Sequence, residues 1–297
     1  MEIVHKPVLL HEVVSGLAVR PGGVVLDATI GLGGHAQALL ESAGPDGRLI
    51  GIDRDKEALE AAEKRLQKYG GRMTLIHSDF GKISELLNRL KVGKVDAVLF
   101  DLGVSSLQLD RPQRGFSFKA DGPLDMRMDP HSGFSAAELV NRISARDLEE
   151  LLRLYGQERW AGRIARAIVK ERPFATTGVL AETIRKAVPP TARRGRINPA
   201  TRSFQAIRIA VNKELELLPS GLNQAIDHLR EGGRIAVLSY HSLEHRIVRN
   251  VFRDRTRAGQ LKMITARPVV PAEAEVARNS RARSANLRIA ERSGTAP

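Results

Sequence analysis

The residues best suited to chemistry are acids that close short apolar runs. Asp27 ends Val24-Val25-Leu26-Asp27 and is followed by Ala28-Thr29-Ile30-Gly31-Leu32-Gly33-Gly34-His35, a turn through three glycines into a helix-compatible segment. Glycine lets a backbone adopt positive φ or approach a ligand closely, and nucleotide-binding α/β folds place such a loop between strand and helix. A tight turn with no ligand can use the same residues. Asp53 and Asp101 close two later runs, and Ser78-Asp79-Phe80 follows a third. An acid at the tip of a second strand can accept both hydroxyls of a ribose, while a polar residue beside an aromatic offers adenine an edge and a face. The structural alternatives are helix caps for Asp53 and Asp79 and a core position for Phe80.

Strands and helices alternate around these acids. After a first helix that Pro21-Gly22-Gly23 stops, strands are expected over 24–28, 48–53, 73–77 and 95–101, with helices over 35–43, 56–68 and 83–90. Apolar strands joined by short helical crossovers predict a parallel sheet covered on both faces. The alternation stops after Leu102. Helical patterns follow at 136–142, 145–155, 158–170 and 178–187. We therefore divide the chain into a core of residues 1–108 and 201–297 and a helical insertion of residues 109–200. A long helical stretch interrupted near Pro219 then leads through Gly232-Gly233 to a strand over 234–239 and a helix over 243–257. Segments 261–266 and 286–290 read as antiparallel strands closing the sheet, joined by a loosely ordered Arg-rich connection.

Composition narrows the partners. Cysteine is absent, which removes disulfides, thiolate metal sites and cysteine nucleophiles together. No apolar run approaches the roughly 18 residues of a membrane span, so a cytoplasmic protein without a membrane partner is expected. The net charge of +13 points to a polyanion. It is unevenly placed: residues 1–110 carry 13 Lys/Arg against 15 Asp/Glu, whereas residues 111–297 carry 34 against 19. Most aromatics of the helical stretch, Phe116, Phe118, Phe134, Tyr155, Trp160, Phe174 and Phe204, are expected to fill its core, leaving one or two to stack on bases.

Two nucleotide readings compete for the glycine loop. A dinucleotide-dependent oxidoreductase of NAD type would use Gly31, Gly33 and Ala36 with Asp53, but its first glycine follows the strand almost directly. Here Asp27-Ala28-Thr29-Ile30 intervenes, which resembles the first motif of class I S-adenosylmethionine-dependent methyltransferases. A non-catalytic RNA-binding scaffold with a vestigial loop is the reading outside enzymes.

Longer strings carry a sharper resemblance. Asp101-Leu102-Gly103-Val104-Ser105-Ser106-Leu107-Gln108, Arg114-Gly115-Phe116-Ser117-Phe118 and Gly122-Pro123-Leu124-Asp125-Met126-Arg127-Met128-Asp129 are similar to the bacterial MraW (RsmH) family of ribosomal RNA methyltransferases. So are residues 198–209, His241-Ser242-Leu243-Glu244 and Ser280-Arg281-Ala282-Arg283-Ser284-Ala285, and the resemblance covers essentially the whole chain. It implies a Rossmann-like class I α/β core, with a mostly parallel sheet and a helical insertion domain after the fourth strand. The activity implied is methylation of the N4 exocyclic amine of a cytidine in the decoding (P-site) region of 16S rRNA. By motif match Gly33, Gly34, His35, Asp53, Phe80, Asp101 and Gln108 would contact S-adenosyl-L-methionine, with no metal. The family usually has an acid where this chain has His245.

Methyl transfer from a sulfonium needs an in-line nucleophile and a site that holds both reactants. The cytosine amine is a poor nucleophile, so an acceptor for its hydrogens is required. Carbon-5 methylation ordinarily proceeds through a cysteine adduct, a route closed to this chain. The Asp/Asn-Pro-Pro-aromatic string of many amine methyltransferases is replaced by Asp101-Leu102-Gly103-Val104, so the amine's acceptor is unassigned by motif. Asp101 and His241 are the catalytic candidates, with Tyr240-His241-Ser242 as the opposite wall; purely cofactor-binding and structural roles stand beside these. RNA binding by phosphate contacts, with the target base unstacked, is expected from Arg193, Arg194, Arg196, Arg281 and Arg283, with Arg278 and Arg288 as further tail candidates. The partner is then 16S rRNA or the small ribosomal subunit, and a homodimer is compatible with the sequence.

Overall fold

The computed structural model describes residues 7–193, 195 and 198–294. They form two compact units, the described residues of 1–105 with 215–297 and those of 106–214.

The first unit is built on a seven-stranded sheet. Its strands are β1 (Val24–Asp27), β2 (Arg48–Asp53), β3 (Met73–His77), β4 (Val95–Asp101), β5 (Leu229–Ser239), β6 (Leu261–Met263) and β7 (Asn286–Arg292), in the order β3-β2-β1-β4-β5-β7-β6. The first five run parallel, and β7 lies antiparallel between β5 and β6. Successive side chains of a strand face opposite sides, and both sides here are apolar. Val25, Leu49, Ala97 and Leu99 join one layer, covered by α1 (Leu10–Leu17), α2 (Gly34–Ser42) and α3 (Lys56–Leu66). Leu26, Ile50, Val98 and Phe100 join the other, covered by α4 (Ile83–Arg89), α12 (Glu214–His228) and α13 (Ser242–Arg257). Parallel strands buried on two faces must read as nearly unbroken apolar runs, which is why they were legible.

The second unit contains α5 (Ser106–Asp110), α6 (Ala136–Arg142), α7 (Ala145–Gly156), α8 (Ala161–Glu171), α9 (Thr177–Ala187), α10 (Pro190–Arg193) and α11 (Ala200–Asn212). Serines start two of these helices: Ser135 and Glu138 form a reciprocal cap on α6, and the Ser144 hydroxyl accepts from the Asp147 N–H on α7. Phe116, Phe174 and Phe204 are buried, and Phe118 meets Phe204 edge-on at 4.8 Å. Phe134 is instead 65% exposed.

Several local expectations need correction. The helical stretch breaks at Lys213 and not near Pro219: Lys213 adopts φ +51, and Pro219 lies inside α12, where its missing N–H forfeits one helical bond. Helix α11 packs on α7, so residues 201–214 belong with the helical unit and not the sheet. β5 begins at Leu229, ahead of the glycines, because Gly232 at φ +71 accommodates a register irregularity within the strand. The connection between β6 and β7 is ordered by α14 (Glu273–Arg278) and a following 3-10 turn, with Glu275 accepting from the Leu9 N–H at 2.8 Å.

Phe100 is fully buried at the centre of the sheet and meets Phe80 edge-on at 5.6 Å. Replacing it with alanine removes that pair and leaves a cavity. Phe100→Ala is expected to lower unfolding stability by about 3–5 kcal/mol in denaturant titrations; a loss below about 1 kcal/mol would show that the centre of the sheet is not tightly packed.

Candidate functional site

Parallel α/β sheets gather ligands beyond the carboxyl ends of their strands, and in this unit those ends are acidic. Asp27, Asp53 and Asp101 close β1, β2 and β4, which are neighbours in the sheet except that β1 separates β2 from β4. Asp27 is 1% exposed. Its carboxylate accepts from the Thr29 N–H at 3.2 Å. Burial raises its pKa to about 7, opposed by His35 and helped by the nearby charges of Asp101 and Asp53.

Asp53 holds the glycine loop in place. One carboxylate oxygen accepts from the Gly31 N–H at 2.8 Å and the other from the Asp55 N–H at 2.9 Å. Burial nevertheless pushes its pKa up to about 6, these backbone donors pulling the other way. Gly31 and Gly33 adopt φ +51 and +74, where a side chain is disfavoured, and Gly33 is the residue that starts α2. The first helical bond runs from the Gln37 N–H to the Gly33 carbonyl at 3.0 Å. The N–H groups of the first turn of such a helix have no intrahelical partner and face an anion or a carboxylate well.

Asp101 gathers the most partners. One oxygen accepts from the Tyr240 hydroxyl at 2.7 Å, the other lies 3.4 Å from His35 Nδ1, and its backbone N–H donates to the Thr29 hydroxyl at 2.6 Å. The other His35 nitrogen, Nε2, meets the Val8 carbonyl at 2.9 Å. Both ring nitrogens thus face acceptors, the arrangement of an imidazolium. Burial opposes the charge on His35, but Asp101, Asp27 and the Val8 carbonyl outweigh it and raise its pKa. Burial and Asp101 hold the Tyr240 phenol well above its ordinary value, so it remains a donor.

At the end of β5, His241 begins α13 in a reciprocal cap. Its Nδ1 accepts from the Glu244 N–H at 3.4 Å, while a Glu244 oxygen accepts from the Tyr240 N–H at 2.7 Å and the His241 N–H at 3.3 Å. His241 Nε2 lies 3.2 Å from the other Glu244 oxygen but off the hydrogen-bonding direction, and it is shielded from solvent without a hydrogen-bond partner.

The sequence pattern of the MraW methylase family matches residues 2–293. The chain belongs to the MraW methylase family. Similar relatives include the ribosomal RNA small subunit methyltransferase H of Trichlorobacter lovleyi, 48% identical over 99% of this chain and 99% of that protein, and the protein of the same name from a Cyanothece species, 49% identical over 98% and 95%. Among solved structures, a putative rRNA-methylase from Clostridium thermocellum matches with a TM-score of 0.48 at 14% identity, covering 99% of this chain and 100% of that one. Membership of a methylase family decides between the two nucleotide readings: the chemistry is S-adenosylmethionine-dependent methyl transfer and not hydride transfer.

Gly33, Gly34, His35, Asp53 and Asp101 therefore sit together along the strand ends of one unit. Phe80 follows β3, but part of its ring is spent on Phe100 and on the backbone beside Gly221. Gln108 is buried in α5 of the other unit. Arg193 is committed to its own unit: its guanidinium donates to the Val188 and Lys186 carbonyls at the end of α9, at 3.1 and 2.8 Å. Arg194 and Arg196 lie outside the described residues. Arg281 and Arg283 are exposed in the turn before β7. Two contacts escaped sequence reasoning. Thr29 is an ordinary loop residue until the Asp101 N–H is seen on its hydroxyl, and the Tyr240–Asp101 bond joins residues 139 apart in sequence. Only the adjacency of β4 and β5 could have revealed that pair.

The side chains fit a cationic ligand: three acids beside one histidine, in a chain that is otherwise strongly basic. A sulfonium beside Asp27 favours the ionised acid, so below its pKa of about 7 binding must expel a proton. S-adenosylmethionine affinity is expected to strengthen as pH rises from 5 to 7, by up to about tenfold per unit for one proton, and to level off above. S-adenosylhomocysteine, which lacks the sulfonium charge, should show a flatter profile in calorimetric titrations. Equal slopes for the two ligands would remove Asp27 from the cofactor's field.

Proposed function

We propose that this methylase transfers a methyl group from S-adenosyl-L-methionine to the N4 amine of a cytidine in the decoding region of 16S rRNA. The observation that carries the reading is the acidic strand-end cluster of Asp27, Asp53 and Asp101, in a chain that belongs to the MraW methylase family and whose relatives are named ribosomal RNA small subunit methyltransferase H.

When bound, the cofactor supplies an electrophilic methyl group on a cationic sulfur. Asp53 is suited to the ribose hydroxyls because its carboxylate already faces the glycine loop and retains lone pairs beyond those given to Gly31 and Asp55. The free N–H groups at the start of α2, Gly34 and His35 among them, suit the carboxylate of the methionine end. The imidazole ring of His35 positions Asp101, so its side chain acts through that acid. Asp101, held by Tyr240 and His35, presents its charge to the cationic part of the cofactor. Phe80, directly after β3, completes the contacts that the sheet unit can offer the cofactor in this reading.

The cytosine amine loses one proton as the new bond forms, and the accepting group must already hold an N–H of the amine. Asp101 has spare lone pairs for that role. His241 Nε2, with Nδ1 fixed as an acceptor by the Glu244 N–H, carries the ring hydrogen and can donate it to an acceptor on the base. The helical unit, with its 19 Lys/Arg against 10 Asp/Glu over 111–212, and the tail arginines Arg281 and Arg283 supply the electrostatic hold on RNA.

Mass spectrometry of 16S rRNA nucleosides from cells with and without this protein should show N4-methylcytidine lost in its absence, which also separates an enzyme from a scaffold. With purified protein, His241→Ala is expected to keep cofactor affinity and reduce labelled-methyl transfer by about a hundredfold or more. Transfer at the normal rate would assign His241 to capping α13 alone.

A further inference from the structure

Helix α13 and strand β7 bring three basic side chains together with no acid among them. Val248 and Phe252 of α13 are buried against the sheet, and Ile247 and Val251 pack beside them. His245 stands three residues before Val248 and seven before Phe252, on the same stripe, and Arg249 lies one turn further along. On β7, Arg288 pairs with Val237 and Ala290 with Ile235. Directly opposed residues share a face, and Ile235, Val237 and Ala290 belong to the layer that α13 covers. Arg288 therefore shares the α13 side of the sheet.

The three groups sense one another. Burial, then Arg288 and Arg249, lower the pKa of His245, and burial, then Arg249, lower that of Arg288. His245 Nδ1 and Arg288 Nε are shielded from solvent and have no hydrogen-bond partner. Among the described residues no carboxylate pairs with Arg249 or Arg288. Like charges brought together with unused polar atoms repel one another, and a bound anion would remove both penalties at once.

Its position favours a particular anion. Arg288 lies opposite Val237, two residues before β5 ends at Ser239, and α13 starts at Ser242, immediately after Tyr240 and His241. The cluster thus flanks the wall of the site to which a target base must come, and a base arrives attached to its backbone. We propose that His245, Arg249 and Arg288 form a phosphate site that takes a backbone phosphate of the RNA substrate next to the target nucleotide. This rests on the reading of the protein as an rRNA methylase. It assigns His245 a contact with RNA, and it makes part of the substrate's register a property of the sheet unit itself.

The test uses the full chain and a fluorescein-labelled oligoribonucleotide copied from the decoding region, with binding followed by anisotropy across a salt series. Arg288→Gln removes a donor, Arg249→Gln removes an exposed charge without touching the core, and His245→Glu places an acid between the two arginines, where it competes with phosphate. Each variant is expected to bind this RNA about tenfold more weakly at 0.1 M salt and to show a shallower salt dependence by about one contact. S-adenosylmethionine affinity should stay unchanged in all three, and His245→Glu should raise the melting temperature by supplying the missing counter-charge. RNA affinity and salt slope unchanged in Arg249→Gln and His245→Glu would overturn the site, even if Arg288→Gln fails to fold. Labelled-methyl transfer by the wild type to 16S rRNA is measured alongside. Its absence overturns the methylase reading, whereas its presence with variants that bind RNA normally overturns the phosphate site alone.

Discussion

The carboxylate of Asp101 is the constraint on which the functional end of the sheet depends. It ties together four segments that sequence separates widely: β4, which carries it; the start of α2, through His35; the end of β5, through Tyr240; and the loop after β1, through its backbone N–H on Thr29. His35 extends the tie to the N-terminal segment by way of the Val8 carbonyl. A buried ion pair is costly unless its remaining lone pairs and protons are satisfied, and here the tyrosine hydroxyl and the carbonyl satisfy them. The arrangement fixes the loop geometry before any ligand arrives, which reduces the ordering cost of binding.

The same end of the sheet carries acids that burial penalises. Asp27 accepts a long hydrogen bond from Thr29, and Asp53 accepts from Gly31, Arg54 and Asp55, yet both have pKa values raised by burial, to about 7 and about 6. A folded pKa above the unfolded value contributes stability that is complete below about 4 and is lost as pH rises through the folded pKa. At neutral pH, then, these acids weaken the empty protein. Raised carboxylate pKa values at the end of a sheet are a functional signature for that reason: a packed core would have replaced Asp27 with an apolar residue. A cationic ligand turns the penalty into binding energy.

How far the sequence disclosed this depended on the range of each interaction. The sheet was legible because parallel strands buried on both faces, such as Leu49–Ile52 and Val95–Phe100, are continuous apolar runs, and the glycine loop was legible because Gly31 and Gly33 need positive φ. Local rules misjudged the places where tertiary packing decides. Lys213 breaks the helix although Pro219 is the stronger breaker by type, and Gly232 sits inside β5 because a register irregularity against β4 consumes it. Candidate site residues were found where chemistry and strand ends coincide, as at Asp53 and Asp101. The hydrogen bonds that tie Thr29 and Tyr240 to Asp101 were not, since nothing local distinguishes a hydroxyl that reaches across the sheet.

Charge separation within the chain follows from having two ligands of opposite sign. A sulfonium cofactor calls for carboxylates held out of water, and a polyanionic RNA calls for guanidiniums that remain accessible to it. Mixed in one site the two sets would neutralise each other as internal ion pairs, as Arg208 and Glu214 do at 2.9 Å in the helical unit. The protein avoids this by topology. Its acids close β1, β2 and β4, while the cations of α13 and β7 lie on the far side of β5, an edge region where an antiparallel strand has been added to a parallel sheet. Tyr240 and His241, at the end of β5, stand between the strand-end acids and the cluster of His245, Arg249 and Arg288. A base whose phosphate is drawn to the positive side would present its amine toward the negative side, which is the orientation that methyl transfer to an exocyclic nitrogen requires.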